Sequence, residues 1–263
     1  RELFNLLGDV DDTPEQTSEQ EMEKIYLKLK RFLEKNPIFK TYLLRKCRKY
    51  RVFLETSYGT IPITSIKRME KVLITGTAGF IGHHLATLLH NAGFKVVGLD
   101  EINAYYNVNL KYTRLKDQGI DVDKITYGEL QKGNIDFIQL KLEDQEGIDK
   151  LFAEEKFDYV VNLAAQAGVR HSIDSPRTYI ESNIIGFTNI LEACRHNPVK
   201  HLIYASSSSV YGLNENLPFK TSDCTDHPMA LYGAPKKANE VMAHSYSHLY
   251  DIPSTGLWFF TVY

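Results

Sequence analysis

Lys71-Val72-Leu73-Ile74-Thr75-Gly76-Thr77-Ala78-Gly79-Phe80-Ile81-Gly82 is the stretch that decides the fold of this 263-residue chain. Its first five residues are mostly apolar, as expected of a short buried strand, and Gly79–Asn91 continues with helical spacing. Between them the glycines fall as Gly-x-x-Gly-x-x-Gly, unlike the more general Gly-x-Gly-x-x-Gly. Glycine lets a backbone turn tightly and approach a pyrophosphate, whose charge is then met by the helix N-terminus. A glycine-rich turn by itself could be only a tight turn, so its context matters. A second strand, Phe94–Leu99, ends on Asp100. An acid about 20 residues beyond the turn can accept from both ribose hydroxyls of a dinucleotide. It would repel a 2′-phosphate, so NAD is expected over NADP.

Outward from this turn, strands alternate with helices. Asp136–Leu142, Tyr159–Leu163, His201–Ala205 and Thr255–Val262 read as strands, with helices near 146–154, 175–195 and 231–249. Such alternation predicts an α/β fold of Rossmann type: a doubly wound parallel sheet with helices on both faces, over residues 69–263. Residues 1–68 differ and are expected to form a small helical N-terminal extension. Ser18-Glu19-Gln20-Glu21 fits a capping box. Met22, Ile25, Tyr26, Leu29, Phe32 and Leu33 then repeat at helical spacing until Asn36-Pro37. A second amphipathic stretch follows, crowded by Arg45, Lys46, Arg48, Lys49 and Arg51. A helical hairpin with a solvated basic face is one reading; a helix on anionic lipid or a docking element is the other.

The composition is that of a soluble globular protein, 43% hydrophobic and 24% charged, with a formal net charge of −2. That balance gives no general attraction to nucleic acid. No apolar run approaches the roughly 20 residues that span a bilayer. Cys47, Cys194 and Cys224 are odd in number and widely spaced, which suggests reduced thiols and a cytoplasmic location. The chain starts at Arg1 and stops at Tyr263 inside an apolar run, so it reads as a fragment cut at both ends.

A second constellation carries the chemistry. Ser206 to Ser209 end the His201–Ala205 strand, and Tyr232 and Lys236 follow on a helix. Tyr-x-x-x-Lys spacing alone means little, because Tyr26/Lys30, Tyr42/Lys46 and Tyr112/Lys116 share it and need only be one face of a surface helix. Tyr232/Lys236 differs by following the serine run. A phenol is almost fully protonated at neutral pH. A neighbouring ammonium and a positive nicotinamide would favour its phenolate, letting Tyr232 act as a base. His244 and His248 lie four apart with no further ligand, so no metal site is expected.

The glycine turn, Asp100, Asn162-Leu163-Ala164-Ala165-Gln166-Ala167-Gly168-Val169-Arg170, the serines with Val210-Tyr211-Gly212, and Tyr232-Gly233-Ala234-Pro235-Lys236 together resemble an extended short-chain dehydrogenase/reductase. The likeness is closest to the NAD-dependent nucleotide-sugar epimerases that act on UDP-glucuronate. It implies catalytic roles for Ser207, Tyr232 and Lys236, with Lys236 also holding the nicotinamide ribose. It implies cofactor contacts near Leu142, at Leu163, Ala164 and Ala165, and at Asn183, although a buried Asn satisfied by backbone is the alternative there. Ser208, Ser209 and Thr261 match hydroxyls that hold a sugar carboxylate, where related dehydratases and decarboxylases carry acids. Arg170 would contact phosphate or carboxylate, or else form a structural salt bridge. The substrate implied is a UDP-sugar, the setting polysaccharide biosynthesis, and the assembly a homodimer through helix 231–249. Relatives continue beyond Tyr263 into a substrate domain, so this fragment is expected to bind NAD and epimerise little. Two positions depart from the pattern. Lys141 stands where an adenine-contacting Asp is usual, which predicts weaker NAD binding. Pro235 lies in the Tyr/Lys spacer, tolerable in a first helical turn.

Overall fold

The computed structural model describes residues 69–215 and 217–262. The expectations for 1–68, including Tyr26/Lys30 and Tyr42/Lys46, fall outside the described residues.

Strands β1 (Lys71–Thr75), β2 (Lys95–Asp100), β3 (Leu130–Gln131), β4 (Asp136–Gln139), β5 (Tyr159–Asn162), β6 (His201–Ser207) and β7 (Ser254–Phe259) form one sheet in the order β3-β4-β2-β1-β5-β6-β7. Every pairing is parallel except β3 with β4. Helices α1 (Phe80–Asn91), α2 (Val108–Asp117), α3 (Gln145–Glu155), α4 (His171–Asp174), α5 (Pro176–Ile180), α6 (Gly186–His196) and α7 (Gly233–Tyr250) supply the crossovers and layers.

Alternation along β1 explains why both faces are covered. Val72 and Ile74 pack with Val96, Val161 and Ala86 of α1. Leu73 points the other way, into a larger cluster with Phe152 of α3, Ile190 of α6 and Ala243 of α7. Successive strand residues face opposite sides, so a strand that is apolar throughout needs helices on both.

Three expected elements change. The strands foreseen at 136–142 and 255–262 stop at Gln139 and Phe259, where their registers with Asp100 of β2 and Ser207 of β6 end. Without a neighbour, the backbone cannot continue a ladder. The helix foreseen at 175–195 begins at Pro176, after the separate short α4, and is interrupted by a π-turn over Glu181–Ile185. Helix α2 was not foreseen. Its N-cap Asn107 accepts from the Asn109 amide, and its mean hydropathy is too low to show in an apolar pattern.

Candidate active site

In an open α/β sheet, ligands bind beyond the carboxyl ends of the strands, where the winding reverses direction. Here the reversal lies between β1 and β5, and a cleft of about 430 Å³ opens there. Gly76, Asp100, Leu142, Ala164, Ser207, Tyr232 and Lys236 all line it.

The turn at its floor is built by close approach. Gly76 has φ +78°, and its amide donates to Leu99 O at 2.7 Å. A Cβ on Gly82 would lie 2.1 Å from Gly76 O, so helix α1 can seat on the turn only with glycine there. Thr75 Oγ1 accepts from the amides of Leu163 and Ala164 at 3.1 and 2.9 Å, fixing the next segment against the turn. Helix α1 has no side-chain cap and no acid in its first turn. Its free N-terminal amides and positive dipole end therefore remain available to a phosphate. Gly79, Phe80 and Ile81 line the cleft beside them. The residues present fit a dinucleotide.

Asp100 is 6% exposed and accepts from the amides of Ala78 at 3.2 Å and Ile102 at 2.8 Å. Sequence reasoning missed its third partner. Lys111, 4% exposed on α2, places Nζ 3.3 Å from Asp100 Oδ1 and 2.9 Å from Asn103 Oδ1. The ammonium offsets the charge on which the expected repulsion of a 2′-phosphate rested. A carboxylate has about four lone-pair sites, so Asp100 keeps capacity for a ribose hydroxyl. The available signal was Lys111 spaced four before the buried Leu115, on the inward face of α2. On that same helix Tyr112 is half-buried and Lys116 exposed.

At the other end, Ser206 and Ser207 extend β6, and Ser208-Ser209 begin a 3-10 turn. Ser207 Oγ donates to Ser209 Oγ at 3.1 Å and accepts from the Ser209 amide at 3.2 Å. Tyr232 immediately precedes α7, and its amide donates to Ser172 Oγ at 3.3 Å. Lys236 follows one turn later, with Nζ donating to Ala205 O at 2.8 Å. Pro235 is the third residue of α7, where a missing amide leaves no helical bond unmade. Burial pushes the Tyr232 phenol above its ordinary pKa, the polar Ser207 side chain pulls it down, and Tyr105 raises it further. Burial lowers Lys236 to about 8. Desolvation therefore governs both groups, and the expected drop in the Tyr232 pKa is not seen in the protein alone.

Other residues singled out from the sequence are not among those lining the cleft. Ser208, Ser209, Thr261 and Arg170 do not line the cleft; Thr261 and Arg170 are exposed, and the turn directs Ser209 at Ser207. No ion pair holds Arg170 among the described residues, and its side chain is exposed. Behind the serines stands Glu240, which accepts from Ser206 Oγ and Trp258 Nε1, each at 2.5 Å. It does not line the cleft. Lys141 is exposed, while Leu142 lines the cleft. His244 and His248 are exposed, and no group of three potential metal ligands occurs among the described residues.

Asn183 takes the alternative role. It is 2% exposed, accepting from the Gln166 amide at 2.8 Å and donating to Gln166 O at 3.0 Å. The π-turn carries it, and the clamp holds the segment that leads from β5 to Arg170. Asn183→Ala would leave both Gln166 groups unpaired, at about 1–3 kcal/mol each. A loss of about 3 kcal/mol in urea unfolding is expected.

Known proteins share this arrangement. The curated protein CapI of Staphylococcus aureus is 58% identical over 193 residues, covering 73% of this chain and 54% of CapI. UDP-glucuronate 4-epimerase 4 of Arabidopsis thaliana is 44% identical over 201 residues, covering 76% and 43%. Among solved structures, the UDP-glucuronic acid 4-epimerase from Bacillus cereus, in complex with UDP-glucuronic acid and NAD, superposes with a TM-score of 0.63. It is 32% identical, covering 73% of this chain and 57% of that one. The chain thus spans about half the length of the relatives it matches. No helix among the described residues is long and apolar enough to cross a membrane. From Val72 to Tyr263 the sequence matches the NAD dependent epimerase/dehydratase family, and the chain belongs to it.

Proposed function

We propose that this chain is the dinucleotide-binding part of an NAD-dependent UDP-sugar 4-epimerase that interconverts UDP-glucuronate and UDP-galacturonate. The observation that carries the reading is a single cleft with Asp100 and the glycine turn at one end and Ser207, Tyr232 and Lys236 at the other. Asp100 and the α1 amides would hold the adenosine ribose and pyrophosphate, and Lys236 the nicotinamide ribose. NAD held there would supply a reversible hydride acceptor for sugar C4 and positive charge beside Tyr232. Tyr232 takes the C4 hydroxyl proton and gives it back, while Ser207 donates a hydrogen bond to the C4 oxygen. Rotation of the 4-keto sugar between the two transfers inverts C4.

The serine turn favours an epimerase over a dehydratase, because it offers no general acid to expel water. Glu240, locked by Ser206 and Trp258, does not fill that role. A second reading, UDP-glucose 4-epimerase, is kept because Ser208, Ser209, Arg170 and Thr261 are not among the residues that line the cleft. The homodimer implied by resemblance would use α7, whose Val241 and Leu249 are exposed.

The test is product identification by NMR after incubating each UDP-sugar with a chain completed to the length of its relatives. UDP-galacturonate from UDP-glucuronate is expected; turnover of UDP-glucose alone selects the second reading. Binding of NAD with no turnover of either would leave a non-catalytic NAD-binding module. The 263-residue chain alone is expected to bind NAD and convert little.

A further inference from the structure

Tyr105 ties the two ends of the cleft together. Residues 101–105 leave β2 beside Asp100 and deliver this side chain to the loop after β5. There the phenol packs so closely on Gly168 that a Cβ at that glycine would lie 2.1 Å from the Tyr105 hydroxyl. Its ring meets His171 edge-on, with centroids 5.1 Å apart. It also lines the cleft, and it acts electrostatically on Tyr179 and Tyr232. The base of the crossing is fixed by Asn103, which accepts from buried Lys111 and from the Tyr105 amide at 3.4 Å. Tyr106 is held separately, its hydroxyl donating to Ala78 O at 3.4 Å and accepting from Arg114 Nη1 at 3.2 Å. On the far side, Tyr179 donates to the carbonyls of Ala167 and Gly168 at 2.7 and 2.6 Å and lies within 3.2 Å of His171 Nδ1. Both banks are thus braced, and Tyr105 is the bridge.

We propose that Tyr105 is a cofactor-retaining residue: its ring, seated on Gly168 and His171, bridges the cleft so that a bound dinucleotide leaves only when this contact opens. The inference rests on the NAD reading above. It has a chemical rationale, since a cofactor that is reduced and reoxidised within one turnover must not escape in between. Tyr105 remains 43% exposed, as suits a side chain that swings out, and its removal opens no core cavity. Gly168 has φ +100°, so glycine there serves both the turn and the seat.

The experiment follows release of NADH from the 263-residue chain by nicotinamide fluorescence after adding excess NAD. An aromatic contact is worth about 0.5–1.5 kcal/mol, so Tyr105→Ala should release NADH roughly tenfold faster. Tyr105→Phe, which keeps the ring, should stay within about threefold of the parent. His171→Ala removes the other side of the contact and should also accelerate release. Thermal unfolding of the cofactor-free variants checks that the fold is intact, and Tyr105→Leu serves if the alanine variant does not fold. NADH bound by the parent and released at the same rate from Tyr105→Ala or Tyr105→Leu overturns this inference alone. No NADH binding by the parent overturns the cofactor reading and this inference with it.

Discussion

Replacing Tyr232 with Phe is expected to lower UDP-sugar turnover by about 10²–10⁴-fold, the usual worth of a general acid–base group. The phenol is half-buried and lines the cleft with Ser207, and its amide is fixed by Ser172. Phenylalanine keeps the ring, and with it the edge-on packing against Tyr179 at 6.1 Å between centroids. Only the hydroxyl, with its exchangeable proton, is lost. NAD affinity should change by no more than about fivefold, the value of one neutral hydrogen bond near 1 kcal/mol. The measurement is turnover by NMR on the completed chain alongside NAD titration of the same variant. Turnover within tenfold of the parent would remove Tyr232 from the proton path.

Lys236→Met should act in opposite directions on stability and on binding. Lys236 is buried, and burial lowers its pKa from 10.5 to about 8. At neutral pH it is held charged in a site that disfavours charge, at a cost of about 3 kcal/mol. Its bond to Ala205 O returns about 1 kcal/mol. The methionine variant should therefore be more stable by about 2 kcal/mol at pH 7, a Tm gain of roughly 4–8 °C. NAD binding and turnover should both fall steeply.

The sign is testable. Between pH 8 and 10.5 the unfolded chain binds more protons at Lys236 than the folded one, so folded stability rises with pH there. The advantage of the methionine variant should shrink across that window and be complete below it. A Lys236→Met protein less stable than its parent at pH 7 would mean that the ammonium is stabilised by more than Ala205 O.

Much of the fold was legible because its signals are local. The strand-turn-helix around Gly76–Gly82 depends on apolar spacing and on Gly82, where a Cβ would lie 2.1 Å from Gly76 O, and on Gly76, with its positive φ. Asp100, Ser207, Tyr232 and Lys236 were legible as residue types at the ends of recognisable elements. Lys111 was not, since its partner lies eleven residues away and is met only when α2 folds back over β2. Tyr105 was likewise hidden in a loop with no periodic pattern. Asn183 was seen, but its clamp on Gln166 needs the π-turn, which no spacing announces.

Sequence alone determined the winding of the sheet, the position of the turn, and which residue types reach the strand ends, because backbone sterics and strand alternation act over a few residues. Only the tertiary structure decided what those side chains face. It tied Ser209 to Ser207, set Glu240 behind the serines, and buried Lys111 and Lys236. The reason is physical: desolvation, ion pairing and close contact depend on neighbours distant in the chain, and those neighbours exist only once the helices have packed.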